Sequence, residues 1–90
     1  MAWFVITYDL RKRRNYQPLY DALKKWKAVP LLESVWLVQL KGPAVEIRDI
    51  LATFMDNDDG LAVLELRPGF DWAVRRVWTS AANWLKTRSP

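Results

Sequence analysis

One carboxylate stands where chemistry could be built. Asp9 closes the apolar run Trp3-Phe4-Val5-Ile6-Thr7-Tyr8, and Leu10 leads from it into four consecutive bases, Arg11, Lys12, Arg13 and Arg14. A carboxylate in that place can hold a hard cation, Mg2+ or Mn2+, while neighbouring arginines grip phosphate oxygens. The same residue also suits a plainer role, a strand-end turn residue bonding its own backbone, and residue type alone favours that role. One carboxylate makes a poor metal site. A catalytic Asp9 therefore requires a second copy from a two-fold partner.

Little else in the chain offers a reactive group. It has no His and no Cys, which removes the imidazole base, the thiolate nucleophile and the Cys/His zinc site. The three glycines stand apart, so no glycine-rich phosphate loop exists. Asp56, Asp58 and Asp59 resemble part of a calcium loop, but no Glu follows at the required offset. Ser34, beside Glu33, reads first as a satisfied turn residue and second as a supporting site residue together with Tyr8. The six Trp residues sit at strand and helix spacing, which favours core or dimer interface; stacking on unpaired bases is the alternative.

The elements that must carry these residues follow from periodicity. Residues 3–8 are too short and too β-branched and aromatic for a helix, and suit a central strand. Asn15 offers an N-cap, Pro18 falls in a first helical turn, and Tyr16, Leu19, Tyr20, Leu23 and Trp26 recur at helical spacing. Pro30 ends that helix region. Residues 31–40 read as strand, either continuous or divided by a tight bend at Glu33-Ser34 into a short strand and a longer one. Gly42-Pro43 predicts a helix start with Pro at its first position, and Ile47, Ile50, Leu51 and Phe54 form its apolar stripe. The polar turn 56–60 stops it, and residues 61–66 form another strand. Residues 72–78 alternate and suit an extra strand or an irregular arm. Thr79 predicts the cap of a short terminal helix whose apolar side is Ala81, Trp84 and Leu85. The fold class is α+β, with two helices on one face of a small, largely antiparallel sheet.

Ninety residues make one domain with a thin stability margin. Twelve aromatic residues compensate, and six Trp exceed the need of one small core, which predicts a self-interface. No apolar run reaches membrane-spanning length, and Met1-Ala2 leads straight into a strand without a basic leader or cleavage site, so a cytoplasmic protein with no membrane partner is expected. Net charge is +4. Residues 10–27 hold seven bases against Asp21 alone, whereas residues 46–65 hold six acids against Arg48. That polarity predicts a positive end and a polyanionic partner.

The strand Phe4-Val5-Ile6-Thr7-Tyr8-Asp9, the basic run, the following helix and Leu32-Glu33-Ser34-Val35-Trp36 occur in an order and spacing that resemble one family. It is the small CRISPR-associated adaptation-subunit family, and more closely its SinR-like relatives outside CRISPR loci. The likeness covers roughly residues 3–66. It implies a ferredoxin-like βαββαβ sandwich over residues 1–68, a two-fold homodimer, and a strand-end Asp facing its mate across the dimer axis. Magnesium-dependent cleavage of RNA or DNA has been attributed to that pair; other members bind DNA as a non-catalytic bridge beside an integrase partner. Carried over, the Asp is Asp9, the basic loop is Arg11, Lys12, Arg13 and Arg14, and the Ser-Val-aromatic element is Ser34-Val35-Trp36. The chain departs from the family at Trp36, where Phe is usual. It departs again over residues 69–90, where a Trp-rich arm and short helix, packed on the same domain or on a dimer partner, replace the final strand.

Two functional expectations stand together. One is a metal-dependent endonuclease using Asp9 from each subunit, with Mg or Mn as cofactor. The other is a catalytically silent nucleic-acid-binding or protein-interaction module.

Overall fold

A computed structural model describes residues 1–12 and 15–88. In chain order the elements are β1 (Ala2–Asp9), α1 (Gln17–Lys25), β2 (Val29–Leu32), β3 (Val35–Leu40), α2 (Ala44–Ala52), β4 (Gly60–Leu66) and α3 (Thr79–Arg88). The four strands form one antiparallel sheet in the order β2-β3-β1-β4. The first strand is thus central, paired to β3 on one side and to β4 on the other.

Strand alternation divides β1 between two cores. Phe4, Ile6 and Tyr8 point toward α1 and α2, where they are buried with Leu19, Leu23, Val38, Ile47 and Leu51. Trp3 and Val5 point the other way, onto a second cluster built from Leu37, Ala81, Trp84 and Leu85. The apolar side expected for α3 is the side it buries. The sheet therefore carries helices on both faces, and this explains most of the surplus Trp. Trp36 and Trp84 are buried, Trp3, Trp26 and Trp72 are partly buried within the chain, and Trp78 alone stands 62% exposed. The chain itself buries or half-buries five of the six rings, so the surplus expected at a self-interface is taken up by a second core.

Local chemistry moves several boundaries. Asn15 lies one residue outside the cap position of α1, which Tyr16 holds; its carboxamide oxygen accepts the Gln17 N–H at 3.0 Å. The helix closes through Lys27 in the left-handed region (φ 62°), with Ala28 N–H donating to the Leu23 carbonyl at 3.0 Å. Pro30 belongs to β2, an edge strand that tolerates a residue without an N–H. Glu33-Ser34 is the two-residue turn of the β2–β3 hairpin, and Ser34 takes the left-handed conformation (φ 63°). Pro43 caps α2 from outside rather than opening it. Ile50 is 49% exposed: at 100° per residue it lies roughly 80° from the midline between Ile47 and Leu51. Residues 72–78 form no strand; the chain turns at Gly69 (φ 89°) and lays Phe70 and Trp72 onto the second core. Among the described residues, no helix is long and apolar enough to cross a membrane.

Candidate functional site

The pairing of β1 places Asp9 opposite Gly60, where β4 begins. Its carboxylate stands in solvent with 72% of the side chain exposed, and Oδ2 meets Arg11 Nε at 3.2 Å. A Cβ at Gly60 would meet Asp9 Cβ at 3.5 Å and the Arg11 guanidinium at 3.4 Å, ordinary van der Waals contact, so the pair does not depend on a glycine there.

Arg11 does more than pair with Asp9. Its backbone N–H donates to Asp59 Oδ1 at 2.7 Å and its guanidinium donates to the Asp58 carbonyl at 2.8 Å. Lys12 reaches Asp58 Oδ2 at 2.9 Å. The basic run and the acidic turn, separate in sequence, therefore meet. Neither Arg11 nor Lys12 is the free cation that the charge distribution predicted. Arg13 and Arg14, the other two expected nucleic-acid-binding residues, lie outside the described residues.

Asp59 organises this junction, a role that reading 56–60 as a polar turn misses. Besides Arg11, it accepts the Tyr16 hydroxyl at 2.7 Å and the Asp56 N–H at 2.8 Å. Burial, then the bond to Asp59, pushes the Tyr16 phenol up from its ordinary value. The available signal was complementarity: an acidic turn at 56–60 in a chain whose bases cluster before a Tyr.

Tyr8 and Ser34 are brought together, though through the main chain: Tyr8 N–H donates to the Ser34 carbonyl at 3.1 Å. The Tyr8 phenol is buried against the helices and accepts the Trp36 indole N–H at 3.0 Å. Burial pushes this phenol up, the Trp36 bond pulls against it, and Tyr20 and Glu33 add to the rise. Trp36, where the resembled family has Phe, thus gives a buried hydroxyl a partner that Phe lacks.

A divalent cation needs several oxygen ligands. Among the described residues no three carboxylates converge, and the one at the end of β1 already faces a guanidinium. One chain does not make the site. Asp9 holds a metal only where a second chain adds ligands and Arg11 swings away.

No protein-family model matches this chain.

Proposed function

We propose that the protein is a ferredoxin-like, nucleic-acid-binding homodimer of the CRISPR-associated adaptation-subunit or SinR-like type. The observation that carries the reading is the position of Asp9, exposed at the carboxyl end of the central strand and followed at once by a cationic loop. The order of strands and helices, the antiparallel sheet and the placement of α1 and α2 on one face support the ferredoxin-like assignment. Phosphate oxygens are the natural ligands of such a loop.

Binding of RNA or DNA duplexes measured against salt tests this. If two copies of the 11–14 loop engage roughly four to eight phosphates, log affinity falls with log salt at a slope of about −4 to −7. Changing all four bases to Ala flattens the slope and weakens unrelated sequences equally. Unchanged affinity and slope would leave the loop with no part in binding.

The second reading is a Mg2+- or Mn2+-dependent endonuclease in which two Asp9 residues share the cation. Such a metal activates water and offsets charge on the leaving oxygen without His or Cys. The Arg11 contact to Asp9 favours the binding role over the cleaving one.

A further inference from the structure

Opposite the Asp9 side of the sheet end, a groove of about 460 Å³ opens between the β2–β3 turn and the arm that leads into α3. Its walls are apolar at Leu32 and Trp78, and its polar groups are Glu33, Ser34, Tyr8 and Arg76. Three observations set it apart. Trp78 holds a large aromatic face in solvent, 62% exposed, while its backbone carbonyl accepts the N–H groups of Ala81 and Ala82 and so anchors it to α3. Arg76 holds a left-handed backbone (φ 58°) on the groove, beside the Glu33-Ser34 turn; such conformations gather where a ligand must be met. Among the described residues, no carboxylate pairs with Arg76.

We propose that this groove takes one unpaired nucleotide of a single strand, stacked on Trp78, with its phosphate on Arg76 and its exocyclic amino group on Glu33. The inference rests on the nucleic-acid reading and adds a second contact to it, away from the basic loop. The chemistry is complementary point by point. A planar ring needs an exposed aromatic face. Its phosphate needs an unpaired guanidinium. An amino group on its pairing edge needs a carboxylate acceptor, and cytosine, adenine and guanine each carry one. The volume suits one nucleotide rather than a folded partner. A thymine or uracil ring lacks the amino group, so it fits less well.

Fluorescence anisotropy with labelled octamers tests the assignment, using oligo-C and oligo-T as DNA and as RNA, alongside a duplex of unrelated sequence. Trp78→Ala weakens single-stranded oligo-C about tenfold or more and leaves duplex binding unchanged, while Trp78→Phe keeps most of the affinity. Oligo-C quenches the wild-type Trp fluorescence, and Trp78→Ala loses that part of the quench. Glu33→Gln narrows the preference of oligo-C over oligo-T, and Arg76→Ala lowers the salt slope for the single strand by about one. Equal loss for duplex and single strand, or no loss in Trp78→Ala with duplex binding intact, overturns the groove and spares the nucleic-acid reading. Binding of neither form overturns both.

Discussion

The Tyr8 and Tyr16 phenols both titrate above their ordinary value of 10.0, so the folded chain keeps protons that the unfolded chain releases. Stability from these groups is fully present below pH 10 and is lost as pH rises through the raised values. Denaturant unfolding followed across that range should show the decline, and Tyr8→Phe with Tyr16→Phe should flatten it. Tyr8→Phe alone leaves the buried Trp36 N–H without its acceptor and should cost about 1–3 kcal/mol at neutral pH. Asp9→Asn behaves differently. Its exposed pair with Arg11 contributes no more than about 1 kcal/mol, so the variant should stay folded. Under the nuclease reading it loses metal-dependent cleavage by orders of magnitude while still binding nucleic acid. An unchanged cleavage rate in Asp9→Asn, or none in the wild type with either metal between pH 6 and 9, removes that reading.

At the level of elements, α3 is a structural member rather than an appendage. Trp84→Ala opens the second core and should destabilise by about 3–5 kcal/mol in equilibrium unfolding, as expected for a buried Trp. A change below about 1 kcal/mol would mean that α3 contributes little to holding the sheet. The apolar periodicity of α3 was legible because Ala81, Trp84 and Leu85 share a helix face, as was the strand–turn–strand division at Glu33-Ser34. Cap positions were legible only to within a residue: an Asn oxygen can serve a helix from outside its cap, and a Pro can precede one as easily as open it. Residues 72–78 left strand and irregular arm both open, because alternation of Trp72, Val74, Arg76 and Trp78 satisfies a strand pattern, and tertiary packing decides for the arm. The Asp59 junction was legible only as complementary charge, for another reason. Its partners Arg11 and Tyr16 lie more than 40 residues away, and nothing local announces a bond between two loops.

For the whole molecule, size exclusion with light scattering at micromolar concentration should give twice the 10.6 kDa chain mass. A monomer at every concentration would leave Asp9 without a mate and the nuclease reading without a metal site. The surplus of Trp no longer argues for that dimer, since the second core absorbs it; exposed Leu64 on the edge strand β4 is a better place to look for the contact. The meeting of basic loop and acidic turn also changes what the loop can select. Under the nucleic-acid reading, Asp58 is a resident anion at fixed local concentration, and an incoming phosphate competes with it for Lys12. A lone phosphate or mononucleotide, lost as readily as it arrives, competes poorly against a tethered rival. A polymer presents several phosphates in succession and replaces the carboxylate through its many contacts. Under the nucleic-acid reading, the acidic turn sets a threshold that favours long polyanions over short ones.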